Sequence, residues 1–572
     1  MAEGSTETTN DFDLIVVGGG FAGLSAAVRA AELGLRAIVL EQGVEERYLC
    51  NSRMSGGILH MAMRDPYRPP HELSTHAKQE AAHDVDERLV DVLAVSGKRL
   101  IEWLQGQGAR FMRFGPQEAY RWCMAPPRAL AAGMDWEDRG PDRVLQALER
   151  RFAEQGGTVR RGTRVDSLRM LEGRCVGVVA TDERGAKEWS SRFVLLADGG
   201  FQASQELFKR YIGPNFDRVF QRGAATGVGA GLRMALKAGA AMKGSGFYGH
   251  LLSRDAFESG NVWPYPQLDM VATAGIVVDG EGRRIADEGR GGVFLTNTLA
   301  KLSPDKVFAI IDTAIWEGPG KNDRIPVNPH LSNAGGTIHE ADNVAALAEK
   351  TGIPVAALQK TIDEYNAALK SGALEKLPVP RSSKIDPWPI LQGPFRAIPV
   401  APGITYTMAG IAIDEHAQVL REDGQPIAGL LAAGATTGGI EGGSNVAYLG
   451  GLLKAGVFGL LAAERVSVLV GKPEAVRRAT ADQRSSEKPL ASSALGKQGL
   501  NRFPVLRAVA RYGIIGSIAL GALVAVLVGW LTFPVVGGYS IPIGLLAGAA
   551  IAVAVASFTE LVRLITELLI PE

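Results

Sequence analysis

Apolar residues fall along this chain in short unbroken runs that alternate with longer, small-residue stretches of helical spacing. Leu14-Ile-Val-Val17 is such a run, of strand length and without the alternation of a half-exposed strand. It leads through Gly18-Gly-Gly20 into an alanine-rich stretch that reads as a helix, and then into a second run, Ile38-Val-Leu-Glu41. Further strand-like runs are Val159–Leu168, Cys175–Thr181 and Phe193-Val-Leu-Leu-Ala197, and a helix is predicted over Leu232–Ala241. From Phe247 the pattern changes. The stretch to Pro394 is punctuated by prolines and carries two helical segments, Asp342–Lys350 and Pro354–Ser371, which suit an inserted cap. Glycine-rich α/β patterning returns from Phe395 to about Val470. The predicted organisation is an α/β domain in two parts, 12–246 and 395–470, interrupted by an α+β cap, 247–394, and followed by a linker, 471–511, rich in Ser, Ala, Lys and Arg.

The tail breaks the rhythm altogether. Tyr512–Thr559 is a run of 48 residues without one charge. Gly513–Phe533 and Ile541–Phe558 each fall in the ~17–25 residue range that spans a bilayer core, so 512–560 is predicted to be a transmembrane helical hairpin. A buried hairpin forming an oligomer interface is the competing reading. Lys497, Arg502, Arg507 and Arg511 precede the first span, whereas the turn Pro534–Ser540 is uncharged. The positive-inside rule then places the globular region on the cytoplasmic side of the inner membrane. Trp530 and Tyr539 near the turn suit an interfacial position. The polar, acidic start Met1–Asp13 has no apolar core of an export signal.

Composition narrows the chemistry. The 572 residues carry 61 basic and 61 acidic side chains, so no polyanion such as nucleic acid is expected as partner. Cys50, Cys123 and Cys175 are scattered, with no CxxC, zinc or iron–sulfur spacing, and no metal site is expected. Glycine, at 70 residues, is abundant, and its placement is informative. Gly18-x-Gly20-x-x-Gly23 follows the first strand and opens the first helix: Gly18 for the tight turn, Gly20 for approach of a diphosphate, Gly23 for close packing. The diphosphate would rest on the helix N-terminus. Glu41 ends the next strand where a carboxylate accepts ribose hydroxyls. This turn alone does not separate NAD from FAD. A second segment, Gly429-Leu-Leu-Ala-Ala-Gly434 running through Gly438 to Gly451, does: a cofactor as long as FAD needs late chain folded back to hold its flavin. Gly450-Gly451, opening a helix over Leu452–Leu461, would aim a positive helix end at the reduced ring.

These segments resemble the flavoprotein family of fumarate reductases and succinate dehydrogenases, and within it the single-chain branch with tricarballylate dehydrogenase, urocanate reductase and 3-ketosteroid Δ1-dehydrogenase. The resemblance is carried by Val16–Leu24, Ser52-Arg-Met-Ser-Gly-Gly57, Leu195-Leu-Ala-Asp-Gly-Gly-Phe201, Val277–Glu288, Leu347–Pro354, Thr361–Asn366 and Thr407–Asp414 running to Gly434. It covers roughly residues 12–470 and implies a Rossmann-type FAD-binding domain interrupted by a cap over the isoalloxazine. It also implies that Ser52, Ser55, Gly56, Gly57, Asp198, Gly199, Gly434, Gly450, Gly451 and Leu452 join Gly18, Gly20, Gly23 and Glu41 in binding FAD. Four departures stand out. Asn51-Ser-Arg-Met-Ser replaces the motif with the flavin-linking histidine, so the FAD is expected to be non-covalent. Tyr406 stands where fumarate reductases place a substrate histidine, and Tyr448 where they place a carboxylate-clamping arginine. Ala435 replaces the acid after Ala-Ala-Gly. Loss of a bidentate guanidinium argues against a small dicarboxylate substrate.

Removing hydrogen from a C–C bond beside a carbonyl needs a hydride acceptor, a base and a donor that polarises the carbonyl. Candidates are Tyr448 and Tyr406 as donors, Arg290 as a proton shuttle, and His250 near the place of a family substrate histidine. Arg290 is closer to Glu288 than its family counterpart, and a cap salt bridge is its alternative reading; packed core tyrosines are the alternative for Tyr406 and Tyr448. Arg396 is a candidate carboxylate clamp. The leading expectation is a membrane-anchored FAD dehydrogenase desaturating a bond next to a carbonyl or carboxylate, with quinone or a membrane electron-transfer protein as acceptor. A reductase of an activated alkene, C–OH oxidation, and a non-catalytic flavoprotein docking membrane partners remain open.

Overall fold

In a computed structural model of the protein, residues 9–473 are described except 128–135, 261–265, 303–304 and 324, together with residue 545. The chain divides into two units, Met1–Ala479 and Thr480–Glu572, and all described strands lie in the first. The predicted hairpin 512–560 falls outside the described residues, save Leu545, as does all but the start of the linker. No helix among the described residues is long and apolar enough to cross a membrane.

The main sheet has eight strands. Six run in the order Gln418–Leu420, Pro426–Ala432, Gly185–Leu196, Thr9–Val17, Ala37–Leu40, Thr158–Arg160. Leu14 stands opposite both Ala37 and Phe193 in parallel register, and Leu14, Ile15 and Val16 are fully buried. Coverage on both faces explains why the run is apolar throughout rather than alternating. The twelve-residue strand Gly185–Leu196 serves two pairings: its first half joins an antiparallel ribbon with Arg174–Asp182, its second half the parallel sheet. The predicted single strand Val159–Leu168 is in fact two, Thr158–Arg160 and Arg164–Leu171. Gly162, at φ +63°, turns the chain between them from the parallel sheet into the ribbon.

Within the Met1–Ala479 unit, late chain does return to the first strand, turn and helix. The helix Gly451–Leu469, longer than predicted, packs on Phe21–Glu32. A Cβ on Gly459 would lie 2.5 Å from the Ala22 carbonyl oxygen, so the backbones touch. Buried Arg29 pairs with Glu464 at 2.8 Å across the two helices.

The cap has its own apolar core, from Leu251 to Val400. Its antiparallel sheet runs Ile276–Asp279, Val307–Ile311, Phe395–Pro399, His339–Ala341, flanked by helices including Val344–Thr351 and Val355–Ser371. The chain leaves this sheet later than expected from the sequence: Ala397 pairs with both Ile310 and His339, so residues 395–399 belong to the cap sheet. An apolar five-residue run fits either sheet, and only the pairing decides. The entry strand Phe247–Leu252 and the exit strand Ala401–Thr407 lie antiparallel, with Tyr248 opposite Tyr406 and His250 opposite Gly403. The cap therefore hangs from two adjacent strands, and these bring Tyr248, His250 and Tyr406 together.

Candidate active site

The first turn does what its glycines predict. Gly18 has φ +98°, and a Cβ there would meet the Ala197 carbonyl oxygen at 2.8 Å. A Cβ on Gly23 would lie 2.0 Å from the Gly18 oxygen, so helix and turn are in backbone contact. Gly20 and Gly199 differ. A Cβ on Gly20 would meet only Ser52 Oγ, at 3.5 Å, and one on Gly199 nothing within 4 Å. Both face open cavity that a side chain would narrow, as a cradle for a diphosphate and its flanking groups requires. Ser52 Oγ accepts from Phe21 N at 3.0 Å at the helix start. Ser55 Oγ donates to Ser52 O at 2.7 Å and accepts from Gly57 N at 3.3 Å, shaping the loop whose Gly56 also lines the cavity.

Glu41 is buried and lines the cavity. Its carboxylate accepts from Gly19 N at 2.7 Å and Gly43 N at 2.8 Å, so it also fixes the glycine turn. Burial raises its pKa against those two bonds. Each oxygen keeps a second lone pair for a ribose hydroxyl. Asp198 accepts from Gly231 N at 2.7 Å, and burial pushes its carboxyl up to about 6.

One cavity of about 1010 Å³ continues from Gly18 and Glu41 past Gly434 and Gly451 to Tyr448 and Arg290. Gly434 has φ +85°, and Ala435 and Leu452 line the wall beside it. Gly450, at φ +123°, lies so close to His60 that a Cβ would sit 2.2 Å from its carbonyl oxygen. The helix beginning at Gly451 thus presents its N-terminus to the cavity.

At the far end three tyrosines meet. Tyr448 stacks on Tyr248 with centroids 3.8 Å apart, and Tyr248 leans on Tyr406 at 5.6 Å. The Tyr406 hydroxyl donates to Glu441 Oε2 at 2.9 Å. Glu441 Oε1 accepts from Leu449 N and Gly450 N, each at 3.0 Å, and Lys454 Nζ lies 2.8 Å from Oε2. Burial, and then the Glu441 charge, raise the Tyr406 pKa well above 10. Tyr406 is a cavity wall held by Glu441. His250 Nε2 lies 3.0 Å from Tyr248 Oη and its Nδ1 3.2 Å from Asp269 Oδ2. Arg290 Nη2 donates to Ser444 O at 2.6 Å and Asn445 Oδ1 at 2.7 Å, with its guanidinium 3.7 Å from the Phe294 centroid. Its bonds go to a neutral loop, not to a cap carboxylate, and burial lowers its pKa.

Tyr448, Tyr406, His250 and Arg290 therefore share one wall. Arg396 does not. It lies in the cap strand Phe395–Pro399, pairs with Glu340 at 2.7 Å and covers Trp316, away from the cavity lining, which corrects the reading of it as a substrate clamp. Tyr248, Asp269, Arg222, Glu441 and Lys454 escaped sequence reasoning. A lysine inside the apolar run Leu452–Leu461 and a glutamate inside a glycine run were the available signals for two of them. Tyr248 reaches the site through strand pairing, Asp269 from the start of the helix Asp269–Ala274, and Arg222 from just beyond the strand Phe220–Gln221.

A cofactor reaching from Glu41 to Gly451 engages both ends of the globular region, and that requirement defines an FAD-dependent oxidoreductase. The profile of the FAD binding domain family matches residues 13–449. The chain belongs to that family, and its cofactor is FAD. It is 29% identical over 395 residues to the NADH:acrylate oxidoreductase of Vibrio harveyi, covering 67% of this chain and 37% of that protein. It is 26% identical over 478 residues to a fumarate reductase (cytochrome) of Shewanella frigidimarina, covering 80% and 77%. The solved structure of 3-ketosteroid-Δ4-(5α)-dehydrogenase from Rhodococcus jostii RHA1 superposes with a TM-score of 0.63 at 20% identity, covering 81% and 98%. The chain spans little more than a third of the first of these relatives.

Proposed function

We propose that this enzyme desaturates a C–C bond next to a carbonyl or carboxylate, with non-covalent FAD as hydride acceptor. The supporting observation is the wall where Tyr448 and Arg290 face the same cavity as the glycine turns of both cofactor segments. Bound FAD would supply two-electron chemistry at its ring, held by Gly18, Gly20, Gly23, Ser52, Gly434 and the helix start at Gly451. Tyr448 and Arg290 hold and polarise the substrate oxygen, and Tyr406 shapes the wall. The helix N-terminus favours negative charge beside it. Tyr448, standing where the family's clamping arginine would be, favours a single carbonyl or carboxylate over a small dicarboxylate, which takes bidentate cations at both ends. Non-covalent attachment is supported at Asn51, whose amide is committed to Thr405 O at 2.9 Å and Ala224 N at 2.5 Å.

The reverse reaction, reduction of an activated alkene, is the second reading, favoured by the names of the acrylate and fumarate relatives. The uncharged tail supports a membrane anchor on the cytoplasmic face and, through it, quinone as electron acceptor. Anaerobic titration of the FAD-loaded protein with saturated carboxylates and 3-ketosteroids tests the reading. Bleaching of the flavin supports desaturation. Reoxidation of dithionite-reduced protein by the unsaturated partners alone supports the reductase, and inertness in both directions refutes both. Failure of a soluble quinone analogue to reoxidise bleached enzyme removes the quinone.

A further inference from the structure

Tyr248 lines the cavity on the entry strand of the cap, stacked on Tyr448. Beside it, on the same cavity, stand His250 and Asp269, in a chain Tyr248 Oη–His250 Nε2 of 3.0 Å and His250 Nδ1–Asp269 Oδ2 of 3.2 Å. An ionised carboxylate only accepts, so Nδ1 carries the imidazole proton. A neutral His250 then offers a bare Nε2, and Tyr248 donates its O–H to it.

Asp269 is itself held. Its Oδ1 packs against Gly292, the first residue of the helix Gly292–Leu302, where a Cβ would lie 1.6 Å away. Negative charge is stabilised at that end of a helix. Gly292 is thus needed for room, and the carboxylate is fixed from two sides.

Resting on the function proposed above, we propose that Tyr248 exchanges the proton of the substrate carbon, and that His250 and Asp269 are the positioning residues that make this possible. In the desaturating direction Tyr248 takes H⁺ from one carbon as its own proton passes to His250 Nε2. The hydride of the neighbouring carbon would pass to bound FAD, and the electron pair of the first C–H bond becomes the second bond of C=C. The substrate is oxidised by two electrons, which bound FAD would accept, and the imidazolium is balanced by Asp269. Reduction runs the same transfers backwards.

The groups facing His250 set its charge. Burial lowers its pKa from the ordinary 6.5, Asp269 opposes this, Arg222 lowers it and Asp323 raises it, while Tyr248 meets it from its own strand and adjoins Tyr406 and Tyr448. His250 is therefore neutral at pH 7. The acid limb of the rate lies below 6.5, and activity is lost as pH falls through it.

The test uses full-length FAD-loaded protein, with Tyr248→Phe, His250→Gln and Asp269→Asn, and Arg396→Ala as control. Nitrogen-15 NMR of histidine-labelled protein, with His250→Gln identifying the signal, reads the tautomer without any substrate. The expected result is a proton on Nδ1, moving to Nε2 in Asp269→Asn. Stopped-flow bleaching, or reoxidation, by 3-ketosteroids or by the propionate–acrylate pair reads the chemistry. Tyr248→Phe is expected to slow it about 100-fold or more with FAD content unchanged. Asp269→Asn is expected to slow it at least about 10-fold and to move the acid limb lower. A wild-type proton on Nε2, or full speed in Tyr248→Phe, overturns the relay. Inertness of wild-type protein toward every compound instead refutes the proposed function, and the NMR tautomer then decides the relay alone.

Discussion

Removing the charge of Glu441 is expected to destabilise the FAD-binding domain more than removing any surface pair. Glu441 and Lys454 are each about 1% exposed, and their contact of 2.8 Å is buried between the cavity wall and the helix Gly451–Leu469. Glu441 also accepts from Tyr406, Leu449 N and Gly450 N, so it binds the wall tyrosine to the helix start. In Glu441→Gln the amide oxygen still accepts from the two backbone N–H groups. Lys454 is left as a lone buried cation, and breaking such a pair costs about 3–5 kcal/mol. Lys454→Met leaves Glu441 with three neutral donors and costs less. The double variant leaves no buried charge, so its cost falls below the sum of the singles, a coupling of about 0.5–3 kcal/mol. Urea titration of the FAD-loaded proteins, followed by near-UV dichroism and flavin release, measures all four states. A Glu441→Gln cost below about 1 kcal/mol, or strict additivity in the double variant, refutes the reasoning, because surface pairs behave that way.

Gly23→Ala is expected to yield protein without FAD, since its Cβ would sit 2.0 Å from the Gly18 oxygen; wild-type flavin content in the purified variant would refute it. Arg396→Ala is expected to leave substrate-driven bleaching unchanged and to cost the cap roughly 0–1 kcal/mol in melting experiments, because its partner Glu340 is half exposed. Asp198 has its pKa raised from 3.8 to about 6 by burial, so its ionised form opposes folding above pH 6 and that cost vanishes below about 4. The melting temperature of apo Asp198→Asn should therefore gain on wild type as pH rises from 4 to 7, and a constant difference would refute the assignment.

Local chemistry made a good part of this protein legible in its sequence. The strand, the turn at Gly18–Gly23, the first helix and the acid Glu41 are contiguous, so their spacing alone specifies a diphosphate cradle. The second glycine segment implied that late chain returns to the first, and the packing of Gly459 on Ala22 is that return. The boundary at residue 394 was not legible, because an apolar run does not reveal which sheet it will join. Nor was the difference between Arg290 and Arg396. Two arginines have the same chemistry in sequence, and strand pairing sets one beside Glu340 while a loop contact sets the other beside Asn445.

The sequence by itself determined the cofactor and the class of chemistry, since each of the two glycine segments is legible from its own local spacing and together they carry the family resemblance. Tertiary structure alone decided which side chains face the substrate. Tyr248, His250 and Tyr406 meet only because the entry and exit strands of the cap pair antiparallel, which sets Tyr248 opposite Tyr406 with 157 residues between them along the chain, and Asp269 joins them from the start of the helix Asp269–Ala274. A hydrogen-bonded relay across such a gap follows from register, and register is a property of the folded sheet.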